Sequence, residues 1–96
     1  MLTAKQKQFL KGLAHPLSPV VRIGKAGLTP AVINEAAKSL EAHELIKVRI
    51  EADDASTRRA IADELAQATG SELAATIGKL AMLYRAREEK PKIKLP

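Results

Sequence analysis

The chain has 96 residues, 46% of them hydrophobic and 28% charged, with a formal net charge of +5, a balance that fits one folded domain with a single modest core. Cysteine is absent, so disulfides, zinc knuckles and thiol catalysis are excluded. Phe9 and Tyr84 are the only aromatic residues, which makes the core aliphatic and rules out a platform of stacked rings.

Thr3 is placed to cap a first helix running to about Ala14. Phe9, Leu10, Leu13 and Ala14 recur in it at helical spacing, and Lys5, Lys7 and Lys11 take the remaining surface. The helix must stop before His15-Pro16, because a residue preceding proline is pushed out of the α region. Leu17-Ser18-Pro19 leads into a first strand. There Val20, Val21 and Ile23 are β-branched and expected to be buried, while Arg22 faces the other way. Gly24-Lys25-Ala26-Gly27 follows as a GxxG loop. Thr29 is a good N-cap and Pro30 suits the first helical position. A second helix is therefore predicted from Pro30 to about His43, with Val32, Ile33, Ala36, Ala37 and Leu40 as its apolar stripe.

From Leu45 to Glu51 the chain alternates. Ile46, Val48 and Ile50 point to one face and Lys47, Arg49 and Glu51 to the other, which predicts a half-exposed strand with two cations on its open face. Asp53-Asp54-Ala55-Ser56 is a capping turn for a third helix from Thr57 to about Thr69, with Ile61, Leu65 and Ala68 inside and Gly70 as its stop. Arg58 and Arg59 fall in its first turn, where the macrodipole disfavours cations by roughly 0.3–1 kcal/mol each. Either they pair with Asp53, Asp54 or Asp63, or they meet a phosphate. Leu73–Ile77 and Leu80–Arg85 make a hairpin about Gly78-Lys79. Residues 1–87 form the domain, and 88–96, poor in apolar residues and rich in alternating charge, are expected to be a flexible basic tail.

The element order is α-β-α-β-α-β-β. Right-handed crossovers then place the second and third helices on one face, giving an α/β two-layer sandwich with a mixed four-stranded sheet.

Between strand and helix, the two glycines of Gly24-Lys25-Ala26-Gly27 free the backbone to take positive φ and let a ligand's backbone approach without meeting a Cβ. The helix that follows adds partial positive charge at its N-terminus. The pattern is neither a Walker loop nor a dinucleotide fingerprint, and by itself it also describes a plain tight turn. RNA-binding KH domains use such a loop against the sugar-phosphate backbone. The distribution of charge bears on the choice. Met1 to Asn34 holds Lys5, Lys7, Lys11, Arg22 and Lys25 and no acidic residue, whereas Glu35 to Tyr84 holds six basic and nine acidic side chains. From Arg85 onward five basic residues stand against Glu88 and Glu89. Lysines alone would keep a small domain soluble, but this asymmetry suggests a charged face aimed at a polyanion.

Catalysis finds little support. His15 and His43 are the only histidines, and each is placed to end a helix, where an imidazole suits the dipole. Asp53, Asp54, Asp63 and Glu64 are accounted for by capping and i,i+4 pairing rather than by a metal. No enzymatic activity, metal or other cofactor is expected. The N-terminus lacks the apolar centre of a signal peptide and no apolar run approaches membrane-spanning length, so a cytoplasmic protein without a membrane partner is expected, and a monomer.

Several separated motifs occur in order: Gln6-x-x-Phe9-Leu10-x-x-Leu13-Ala14-His15, Pro19-Val20-Val21-Arg22-Ile23-Gly24-Lys25-Ala26-Gly27-Leu28-Thr29, His43-Glu44-Leu45-Ile46-Lys47-Val48, and Ile77-Gly78-Lys79-x-x-x-Leu83-Tyr84-Arg85. Over roughly Leu2 to Arg87 the chain resembles the CRM domain (chloroplast RNA splicing and ribosome maturation), in its stand-alone bacterial YhbY-type form. The resemblance implies a fold similar to the C-terminal domain of translation initiation factor three. It also implies RNA binding, with association to rRNA in precursors of the large ribosomal subunit. Carried over, the RNA site is Gly24, Lys25, Ala26 and Gly27, with Arg85 also matching the family pattern. Arg22, Lys5, Lys7 and Lys11 are added from the charge pattern, and Arg58 and Arg59 from their position. The alternative is a protein-interaction module docking an acidic ribosomal or ribonucleoprotein partner.

Overall fold

Each helix begins where a side chain can take over the unpaired amides of its first turn. In the computed structural model, which describes residues 1–96, α1 (Ala4–Ala14) starts from Thr3. The Thr3 hydroxyl accepts from the Gln6 amide at 3.1 Å, and the Gln6 side chain accepts from the Thr3 amide at 3.0 Å, closing a capping box. Helix α2 (Pro30–His43) starts from Thr29, whose hydroxyl accepts from the Val32 amide at 3.2 Å. Helix α3 (Ala55–Thr69) starts from Asp54, whose carboxylate accepts from the Thr57 amide at 2.9 Å, and it stops at Gly70 with φ 67°.

The strands are β1 (Val21–Ile23), β2 (Leu45–Ile50), β3 (Glu72–Ile77) and β4 (Leu80–Tyr84), in the spatial order β1-β2-β4-β3. β1 runs parallel to β2, and β4 is antiparallel to both its neighbours, joined to β3 by a turn with Gly78 at φ 56°. The expected α/β order and mixed four-stranded sheet are thus those observed. The larger core lies between the sheet and α2 with α3, where Val21, Ile23, Ile46, Val48, Ile50 and Leu83 meet Ala36, Leu40, Ala62 and Leu65.

The opposite face is covered only in part. There α1 lays Leu10 and Ala14, with Leu2 before it, over Leu45, Ala74, Met82 and Tyr84. This partial cover explains where simple periodicity misleads. Lys47, expected on an open face, is 6% exposed beneath α1, and its ammonium donates to the orphaned His15 carbonyl at 3.2 Å. Phe9 and Leu13 are 39% and 41% exposed, because α1 meets the sheet along one narrow line. Val20 precedes β1 and is exposed, since it shares with Arg22 the face of an edge strand that α1 does not reach. In α3 the buried stripe is Ala62, Leu65, Ala66 and Thr69, one position round from that expected, so Ala68 is exposed.

The segment 88–96, for which composition predicts a flexible tail, lies against the domain instead. Glu44, fully buried just past α2, accepts hydrogen bonds from the backbone amides of Arg87 (2.9 Å), Lys92 (2.6 Å) and Ile93 (3.0 Å). Ile93 and Leu95 pack on the smaller core, and the Pro96 carbonyl accepts from the Gln6 side chain at 3.2 Å. Desolvation raises the Glu44 pKa, but those three amides and the charge of Arg87 outweigh it and hold the carboxyl below its ordinary value.

Candidate nucleic-acid interface

The topology gathers three chain reversals at one end of the sheet, hereafter the loop end. These are Gly24–Gly27 after β1, Glu51–Asp54 after β2, and the Gly78-Lys79 turn between β3 and β4. Backbone bonds tie them together: Glu51 donates to the Ile23 carbonyl at 2.9 Å and Ile50 to the Lys79 carbonyl at 2.7 Å. Helices α2 and α3 both present their N-termini here. At α2 the Thr29 side chain and carbonyl engage Val32 and Ile33, and Pro30 has no N–H, which leaves the Ala31 amide as the free donor of the first turn.

Within Gly24–Gly27 the Gly27 amide donates to the Gly24 carbonyl at 3.0 Å, so Lys25 and Ala26 form the exposed corners of a closed turn. Only one glycine is required by the backbone: Gly27 has φ 78°, whereas Gly24 does not have positive φ. A Cβ built on Gly24 would meet nothing within 4 Å. Within the folded chain, no contact and no positive φ demands glycine at position 24.

Arg22 points to the sheet face away from the larger core and stands beside Arg49 in the parallel register of β1 and β2. Arg49 hydrogen-bonds to Glu51, and Lys79 from the hairpin turn lies 3.9 Å from the same carboxylate. Lys11 of α1 lines a groove with Lys47, Ile77, Leu80 and Met82 that borders this open half of the sheet. Lys7 shares a helical face with Lys11 at i,i+4, whereas Lys5 lies off it. All three α1 lysines are exposed.

The remaining sequence-predicted cations are engaged within the protein. Arg58 donates through Nη1 to the Ala52 and Asp53 carbonyls at 2.7 and 2.9 Å, bracing the loop before α3 rather than pairing with an aspartate side chain. Arg59 pairs with Asp63 at 3.4 Å on the exposed face of α3. Arg85 lies at the opposite end of the sheet. Its guanidinium donates to the Thr69 carbonyl at 2.7 Å and to the Ala37 carbonyl and Glu41 carboxylate at 3.2 Å each, so it closes the C-terminus of α3 and ties it to the side of α2, whose own end carbonyls at Glu41 and Ala42 accept from Arg87. Arg49 and Lys79 are the cations that the geometry adds. Arg49 was legible as an outward strand residue, but nothing local to Lys79 places it beside Glu51. No helix is long and apolar enough to cross a membrane.

Comparison with known proteins agrees with this architecture. The protein is 47% identical over 95 residues to a Haemophilus influenzae protein named "RNA-binding protein", covering 99% of this chain and 95% of that one. It is 40% identical to "Probable RNA-binding protein YqeI" of Bacillus subtilis over the full length of both chains. The solution structure of the Staphylococcus aureus protein SAV1595 superposes with a TM-score of 0.90 at 40% identity, again over the whole of both chains. The sequence pattern of the CRS1 / YhbY (CRM) domain matches residues 2–85, and the chain belongs to that family.

Proposed function

We propose that this protein binds structured RNA through the loop end, without catalysis, and acts in the cytoplasm as a monomeric assembly factor on rRNA of large-subunit precursors. The family and the names of its relatives support the RNA partner. The observation that carries the site is the placement of Gly24: like Gly12 in α1 it is not demanded by the fold, but it stands in the exposed turn at the loop end, where a close-approaching sugar-phosphate backbone would need the room of a missing Cβ. Around it stand Lys25, Arg22, Arg49 and Lys79, with Lys11 along the adjoining groove. Phosphate neutralisation by these side chains supplies affinity, and the shape of the loop end supplies selectivity. Arg58, Arg59 and Arg85 serve the fold first in this reading.

A glycine comparison tests the assignment. Gly24→Ala should melt like the parent or up to about 1 kcal/mol more stably, because alanine narrows only the unfolded ensemble there. Its affinity for a structured RNA, followed by fluorescence anisotropy at low and physiological salt, should nevertheless fall several-fold. Gly27→Ala should lose about 1 kcal/mol of stability, since φ 78° is unsuited to alanine. Undiminished RNA affinity in Gly24→Ala would show that the loop is only a turn.

A further inference from the structure

Three cations at the loop end converge on one carboxylate. Arg49 hydrogen-bonds to Glu51, Lys79 lies 3.9 Å from it, and Arg22 flanks Arg49 in register on the same face. The carboxylate is held below its ordinary pKa by the Arg49 hydrogen bond first, against partial desolvation, and then by the charges of Arg49, Lys79 and Arg22. One anion against three cations leaves the cluster positive. The side chains remain accessible, with Arg49 40% and Lys79 39% exposed. Their backbones are fixed by the Glu51–Ile23 and Ile50–Lys79 bonds, so the segments that carry the positive groups keep their places whatever occupies the centre.

A carboxylate and a phosphodiester both offer two anionic oxygens to a guanidinium fork and an ammonium. An ion pair as exposed as Arg49–Glu51 is held only weakly, so a second anion can displace it. We propose that Glu51 is a built-in stand-in for phosphate: Arg49, Lys79 and Arg22 form a phosphate position on the open half of the sheet, which the Glu51 carboxylate fills until an RNA phosphodiester displaces it. This deepens the RNA-binding reading and rests on it for the identity of the ligand, though the anion site itself can be tested without RNA. Glu51 thereby sets the affinity of the site: it screens the cluster from weakly held anions and yields to a phosphate presented alongside the Gly24–Gly27 loop.

The test is Glu51→Gln, which keeps the side chain's shape and an acceptor for Arg49 while removing the competing charge. Affinity for a structured RNA should rise roughly two- to tenfold at low salt, and Arg49→Ala placed on top of Glu51→Gln should abolish the gain. Independently of RNA, inorganic phosphate titrated into 15N-labelled protein should shift the Arg49 side-chain Nε resonance at lower concentration in Glu51→Gln than in the parent. Unchanged or weaker RNA binding together with unchanged phosphate response would overturn the proposal and leave Glu51 an ordinary surface ion pair. A gain for inorganic phosphate when neither protein binds RNA would uphold the anion site and overturn the RNA reading instead.

Discussion

Replacing Lys25 and Ala26 together by aspartate should lower RNA affinity at least tenfold, about 1.4 kcal/mol, while leaving stability within about 0.5 kcal/mol of the parent. Both side chains are exposed at the corners of a turn closed by the 3.0 Å bond from Gly27 to Gly24, and neither glycine is touched, so the backbone has no reason to move. What changes is the charge at the turn, from one positive group to two negative ones, beside Arg22, Arg49 and Lys79. A phosphate attracted to that corner in the parent is repelled in the variant. Melting temperature and RNA affinity measured side by side check the expectation. A variant that melts and binds normally removes the loop from the site.

The largest effect on stability is expected at Glu44. This residue has φ 64° and ψ −40°, a strained conformation for anything but glycine, directly between α2 and β2. Its backbone holds both sides of the junction, donating to the Leu40 carbonyl and accepting from the Arg85 amide, each at 2.8 Å. Its buried carboxylate then receives three backbone amides of the C-terminal segment. Glu44→Ala keeps the strain and deletes the acceptors. Hydrogen bonds to a charged acceptor contribute about 1.5–3 kcal/mol each, but amides of a released tail can turn to water, so the net loss is about 2–4 kcal/mol. For a domain of this size that lowers the melting temperature by about 10–25 °C.

Glu44→Gln, which keeps one acceptor oxygen but turns an amide group towards the Arg87 N–H, should fall between the two. The pH dependence has a definite sign. Because the folded-state pKa lies below the ordinary 4.5, the stabilisation is complete above about pH 4.5 and is lost as the pH falls through the lowered value. The gap between parent and Glu44→Ala should therefore close on acidification. An Ala variant melting within a degree or two of the parent at neutral pH would show that the carboxylate does not hold the tail.

How much of this was legible in the sequence follows from the range of the interactions. Thr3, Thr29 and Asp54 cap their helices through bonds to residues three positions on, and Pro16, Gly70 and Gly78 act on their own backbone, so these features could be read locally. The alternation of Ile46, Val48 and Ile50 located the larger core for the same reason. The burial of Lys47 was not readable, because it depends on which half of the sheet α1 covers, and that is settled by Leu10 and Ala14 meeting Met82 and Tyr84 far along the chain. The latch at Glu44 was hidden likewise: its partners are more than forty residues away and are backbone amides, which carry no residue-type signal. At the candidate site the Gly24–Gly27 loop was conspicuous, but the gathering of Arg22, Arg49, Glu51 and Lys79 required the pairing of β1 with β2 and of β2 with β4. Arg85 illustrates the converse, since a cation in a family motif turns out to close the end of α3 and tie it to α2.

The surface that RNA touches can be located directly. Titrating an unlabelled structured RNA into 15N-labelled protein and following the amide resonances maps that contact residue by residue. The largest changes should fall at the loop end, on Arg22 to Thr29, on Arg49 to Glu51 and on Gly78-Lys79, with smaller ones along the Lys11 face of α1. The amides of Arg85, Arg87, Lys92 and Ile93 at the opposite end should stay where they are. Changes concentrated on that opposite end, with Gly24 to Gly27 unmoved, would contradict the assignment of the RNA site to the loop end.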